Sequence, residues 1–130
     1  MGMRVPVDTH ALLWWLSGDE ALSIRARSAI ADQRTETFVS AASAWEIAIK
    51  YKQGKLPTAA GIMGDIEGTI VRQGFVAIPI TINHGNSAGA LPLHHKDPFD
   101  RMLIAQALAE SLTLISNERV FDRYGVARLW

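Results

Sequence analysis

Short apolar runs alternate with amphipathic stretches from one end of the chain to the other, and this constrains the fold more than any other feature. Arg4–Asp8 (RVPVD), Thr37–Ser40, Phe75–Thr81 (FVAIPIT), Leu112–Ser116 (LTLIS) and Val126–Trp130 read as strands. Between them His10–Leu16, Ser23–Gln33, Ala41–Gln53, Ala59–Gln73, Ile82–Ala90, Pro98–Ser111 and Glu118–Tyr124 read as helices, the fourth interrupted by glycines. Strands alternating with helices build a mostly parallel sheet, because a parallel neighbour needs a crossover long enough to hold a helix. The expected fold class is therefore α/β. Pro6 and Pro79 each remove a ladder donor, and the second suggests an edge strand.

Local signals set several helix ends. Ser23 is a plausible cap for the second helix, with Ala26, Ala29 and Ile30 on one face. In the third, Trp45, Ala48 and Ile49 form the expected apolar face, Glu46 and Lys50 share another, and Gly54 stands where a C-terminal cap belongs. Asp97 has the position of an N-cap, with Pro98 in the first helical position after it.

The 130 residues fit a single domain, 1–130, and 48% apolar with 20% charged residues is ordinary for a globular chain. Cysteine is absent, which removes disulfides, zinc–thiolate sites and cysteine nucleophiles, and makes the reducing cytoplasm the expected compartment. No apolar run is long enough to span a membrane, and no signal peptide is expected. With 13 basic and 13 acidic residues the net charge is +0, which argues against a protein that grips nucleic acid by bulk electrostatics. Any such contact must be local, or shared across an oligomer. The chain has neither a glycine-rich phosphate loop nor a G-x-S-x-G elbow, so nucleotide-dependent and serine-hydrolase chemistry are not expected.

Carboxylates are the residues best placed for chemistry. Magnesium takes hard oxygen ligands and keeps several waters, and such an ion makes a water more acidic and neutralises charge building on a phosphate. Asp8 ends an otherwise apolar strand, where amphipathicity gives it no reason to be, although it can also cap the helix beginning near His10. Glu46 lies mid-helix beside Trp45 and Ile47, and can equally be an exposed partner of Lys50. Asp97 reads as a cap, and Asp100 sits in a first turn, where the helix dipole favours negative charge. Glu118 follows the LTLIS strand, with Ser116 able to cap it. Of the histidines, His10 can point toward such a site, whereas His94-His95 before Lys96 reads as a solvated loop.

Taken in order, VDTHALLWWL (Val7–Leu16), VSAASAWEIAIKYKQGKL (Val39–Leu56), LPLHHKDPFDRMLIAQAL (Leu91–Leu108) and LISNERVFDRYGV (Leu114–Val126) resemble a PIN-domain ribonuclease, of the VapC-type toxins of toxin–antitoxin pairs. The resemblance implies a three-layer α/β/α sandwich around a short parallel sheet. It also implies a metal-dependent endoribonuclease, with Asp8, Glu46 and Asp100 around Mg2+ (Mn2+ substituting) and Asp8 and Asp100 the metal ligands. The products would be a 5′-phosphate and a 3′-hydroxyl. Asp97 matches a second aspartate of the DPFDR subgroup. Where family members often have T-x-D, this chain has Ser116, Asn117 and Glu118, one methylene longer, which bears on a fourth ligand or a second metal. Ser116 can position a ligand or water, and Lys50 can touch the RNA backbone or balance Glu46.

The same resemblance implies a cognate antitoxin protein seated in an apolar groove to which Trp14, Trp15 and Leu16 contribute. It further implies an RNA substrate, tRNA or ribosomal RNA, and a homodimer. Two alternatives differ in class. A PIN domain without catalysis would be a binding module. A receiver-type signalling domain would need paired acids after the first strand and a lysine after the last, and Asp8 is followed by Thr9-His10.

Overall fold

In a computed structural model, which describes residues 2–130, the apolar runs become five short strands. Strands β1 (Arg4–Pro6), β2 (Glu36–Ser40) and β3 (Val76–Ile78) pair in parallel, with Val5 opposite Thr37 and Phe38 opposite Val76. Strands β4 (Leu114–Ile115) and β5 (Arg128–Leu129) form a second parallel pair. A parallel bridge from Val7 to Ile115, with the Asp8 N–H donating to the Ile115 carbonyl at 3.0 Å, joins β4 to β1. The spatial order is therefore β3-β2-β1-β4-β5, all parallel. From β1 the chain first winds outward to β3, then returns to the other side of β1 for β4 and β5. The order reverses between β1 and β4, and open α/β sheets bind ligands beyond the strand ends at such a point.

Helices α1 (Thr9–Ser17), α2 (Ile24–Ala31), α3 (Ala41–Lys52), α4 (Ile66–Arg72), α5 (Ile82–Ala90) and α6 (Pro98–Glu110) fill the crossovers. Side chains alternate across a strand, so each strand feeds both faces of the sheet. Val5, Val7, Val39, Ile115 and Leu129 pack with Ala11 and Leu12 of α1, Ala26 and Ile30 of α2 and Ile47 of α3. Phe38 and Leu114 point the opposite way and pack with Leu103, Ile104 and Ala107 of α6 and with Phe121. Two apolar layers on opposite faces of one sheet make the three-layer α/β/α sandwich. Ile104 and Phe121 have no exposed surface, and truncating either to alanine costs about 2–5 kcal/mol.

Several elements are shorter than the sequence pattern suggests. The third strand stops at Ile78 rather than Thr81, since Pro79 has no N–H to continue the ladder, and it lies at the sheet edge. The Ala59–Gln73 stretch divides into a 3₁₀ turn, Pro57–Gly61, and α4, which restarts where Asp65 accepts the Gly68 N–H. The last helix is a 3₁₀ turn, Arg119–Tyr124, and the last strand spans two residues. Gly54 does close α3: it holds φ +75°, and its N–H donates to the Tyr51 carbonyl. No described helix is long and apolar enough to cross a membrane.

Candidate active site

In a right-handed α/β fold each crossover helix runs back against the strands, so helix starts and strand ends share one edge of the sheet. Ser116 follows β4 directly, Asp8 follows β1 after the bridging Val7, and the first turns of α1, α3 and α6 open on the same edge.

Asp8 is buried at the end of the first strand segment. It is the N-cap of α1, with Oδ1 accepting the Ala11 N–H at 2.8 Å, and it faces the strand-order reversal. Burial pushes its carboxyl pKa up. The Ser116 hydroxyl, the Ala11 N–H and the charge of His10 oppose that rise, while the negative charge of Glu118 adds to it. Ser116 is fully buried and accepts the Glu118 N–H at 3.0 Å. Glu118 is half-buried and caps nothing with its side chain, yet its charge reaches Asp8.

Helix α3 differs most from expectation. Its buried face is Ala42, Ser43, Glu46 and Ile47, whereas Trp45, expected in the apolar face, is 62% exposed and packs edge-on against Phe99. That face begins with the small residues Ala42 and Ser43, both buried. Glu46 is thus a buried carboxylate at 3% exposure, not the exposed one that pairing with Lys50 implied. The pair itself exists: Lys50 Nζ is bonded to Oε2, and this bond raises the Lys50 pKa. The Thr9 hydroxyl donates to Oε1 at 2.6 Å, and Ser43 Oγ lies 3.1 Å from Thr9 Oγ1.

Asp97 caps α6, accepting the Asp100 N–H at 2.9 Å, as its position before Pro98 suggested. Asp100, in the first turn of α6, is pushed up to about 6, first by burial and then by the negative charges of Asp97, Asp8 and Glu46; the His95 hydrogen bond acts the other way. The reading of His94-His95 as a solvated loop is half wrong. His94 is exposed and packs on Tyr124, but the His95 ring is 2.7 Å from Asp100 through Nε2 and Oδ2. The sequence signal for His95 was its place five residues before Asp100, which means nothing without the loop's path.

Asp8, Glu46 and Asp100 therefore lie in one negative field at the sheet edge. Their donors are hard carboxylate oxygens, two of them on acids that burial keeps reluctant to ionise, which is the setting a divalent cation relieves. Among the described residues no three acidic or imidazole side chains converge on a single point. Ligation by Asp8 and Asp100, with waters filling the other positions, fits that arrangement and the habit of magnesium.

A groove of about 410 Å3 opens beside α1, lined by Leu13, Trp14, Leu16, Leu56, Ala59 and Ile62 among others. Trp14 and Leu16 are in it as expected. Trp15 is not: it turns to Phe75 and donates its indole N–H to Gln73 at 2.9 Å.

Residues 5–127 match the sequence pattern of the PIN domain. The chain belongs to the PIN domain family. That match sets aside the receiver-type alternative. A 62-residue stretch is 37% identical to Ribonuclease VapC16 of Mycobacterium tuberculosis, covering 48% of this chain and 43% of that protein. Ribonuclease VapC22 of the same organism is 28% identical over 116 residues, 88% of this PIN domain and 87% of its relative. The chain thus spans under half of the first relative and most of the second. In fold it is similar to a chain of VapBC2 from Rickettsia felis bound to a DNA fragment from their promoter (TM-score 0.70, 15% identity, 97% of both chains). It is also similar to a chain of FitAcB from Neisseria gonorrhoeae (TM-score 0.62, 15% identity, 95% of both).

Proposed function

We propose that this PIN domain is the toxin of a toxin–antitoxin pair, a cytoplasmic endoribonuclease that hydrolyses RNA phosphodiester bonds with Mg2+ or Mn2+. One observation carries the proposal. Asp8, Glu46 and Asp100 come from three separate elements to one edge of the sheet; burial raises the pKa of Asp8 and Asp100, with the charge of Glu118 adding at Asp8 and those of Asp97, Asp8 and Glu46 adding at Asp100. Such a cluster is costly unless a cation offsets it. The ribonuclease relatives supply the substrate class.

When bound, a divalent ion supplies a more acidic water and neutralises charge building on the phosphate. The chain's own groups do the rest. Asp8, fixed by the Ala11 N–H, and Asp100, fixed by His95, present carboxylate oxygens as ligands. Glu46, steadied by Thr9 and Lys50, is the acid that orients the attacking water. Ser116 holds the Glu118 backbone and keeps that carboxylate at the margin as a supplementary ligand. Hydrolysis in line would leave a 5′-phosphate and a 3′-hydroxyl.

The substrate is a structured RNA, tRNA or ribosomal RNA, and the active species is a homodimer. A chain of zero net charge has little field of its own, so a second copy extends the RNA path. The apolar groove at Trp14 and Leu16 is the seat for the antitoxin, and the likeness to VapBC2 and FitAcB supports a partner of that kind.

The test is cleavage of tRNA and ribosomal RNA by purified protein, with Mg2+ or Mn2+ against chelator. Cutting that needs the ion and is lost in Asp8→Asn and Asp100→Asn supports the nuclease. Metal-independent cutting, or cutting kept by both variants, refutes it. If neither cleavage nor metal binding occurs, the domain is a binding module.

A further inference from the structure

We propose that His95 is a positioning residue for Asp100: its imidazole fixes one carboxylate oxygen so that the other is presented to a hard divalent cation. The inference rests on the nuclease function above and adds a residue to its site.

The first observation is the bond itself. Nε2 of His95 lies 2.7 Å from Oδ2 of Asp100. An ionised carboxylate only accepts, so Nε2 carries the hydrogen. The Asp100 backbone is fixed separately through the Asp97 cap. No donor among the described residues falls on Oδ1. One oxygen is anchored, and the other is left for a ligand.

The second observation is how firmly the imidazole is held. Residues 91–97 form no helix or strand, yet the segment is pinned at several points. The His95 N–H donates to Tyr124 Oη at 2.8 Å, and that hydroxyl donates to the Pro92 carbonyl at 2.8 Å. Arg101 is buried beneath the loop and donates to the carbonyls of Ala88 and Leu91 through Nη2 and of Pro92 and His95 through Nη1, at 2.8–3.2 Å. The imidazole packs against Phe121, its ring 5.9 Å away, which has no exposed surface. A solvated loop histidine needs none of this.

The third observation is a parallel on α3, where Thr9 and Lys50 hold the two oxygens of Glu46. Each acid of the cluster has its own holder, and His95 is the one for Asp100. Groups that orient a ligating carboxylate commonly matter about 10- to 100-fold for metal affinity.

The experiment is a Mn2+ titration by electron paramagnetic resonance, metal alone without RNA, on wild type, His95→Ala, His95→Gln and Asp100→Asn, with a thermal melt of each. A glutamine amide retains a donor for Oδ2. His95→Ala should bind Mn2+ at least about 10-fold more weakly, and His95→Gln should recover most of that loss at a similar melting temperature. In the metal-free wild type, 15N NMR should show the His95 Nε2–H form, with its proton shift moved in Asp100→Asn. Wild-type Mn2+ affinity in His95→Ala overturns the proposal. So does equal loss of affinity in both histidine variants in step with their melting temperatures, which would make His95 a loop anchor only. Should His95→Ala fail to fold, His95→Gln and the NMR signature decide. Unchanged Mn2+ binding in Asp100→Asn is a separate outcome, and it removes the metal-site assignment itself.

Discussion

Replacing Asp100 by asparagine should make the metal-free protein more stable while making it inactive. The native carboxyl is raised from 3.8 to about 6, chiefly by burial. A carboxyl with a raised native pKa binds its proton more tightly in the folded state, so folding loses stability as pH climbs from about 4 to 6. The penalty is complete above that window and amounts to about 3 kcal/mol. Asparagine removes it but exchanges a charge-assisted bond with His95 for a neutral one, returning about 1 kcal/mol. The net gain of about 2 kcal/mol corresponds to a rise in Tm of roughly 6 °C or more in a domain of this size. Calorimetry with chelator at pH 7.5 and pH 5 is the assay, and roughly half of the penalty remains at pH 5. Magnesium should then raise Tm in the wild type and leave Asp100→Asn unchanged. A lower Tm for the variant at pH 7.5, or the same gain at both pH values, would refute the placement of Asp100 in a buried, negative site.

Three further changes probe its surroundings. Lys50→Met strips the cation from buried Glu46 and should cost about 3 kcal/mol without metal, part of which Mg2+ should restore in a melt. Arg101→Met leaves the carbonyls of Ala88, Leu91 and Pro92 without their donor and should cost about 3 kcal/mol or more, read by urea denaturation. Asp97→Ala should cost about 1 kcal/mol as a lost cap while RNA cleavage persists; abolished cleavage in a folded variant would make Asp97 a member of the site.

What could be read from the sequence was whatever is decided locally. An aspartate closing an apolar run, a proline behind an aspartate and the strand–helix alternation each have one short-range physical cause, and Asp8, Asp97 and the parallel sheet followed from them. The face of α3 was not decided locally. Alanine, serine, isoleucine and tryptophan surround that helix, so periodicity allows more than one buried side, and contact with Thr9, more than thirty residues earlier, selects the side carrying Glu46. His95 was further out of reach, since its orientation depends on Tyr124 and Arg101 closing around a loop with no regular structure. Trp14 and Trp15 looked alike in the sequence, but neighbouring positions on a helix point about 100° apart, and only Trp14 faces the groove.

Asp8 spends one oxygen on starting α1. Any substitution there is an injury to the scaffold, and it loosens the helix that forms one wall of the apolar groove. A substitution meant to leave that groove intact belongs instead at Asp100, whose neighbourhood relaxes when the charge is gone.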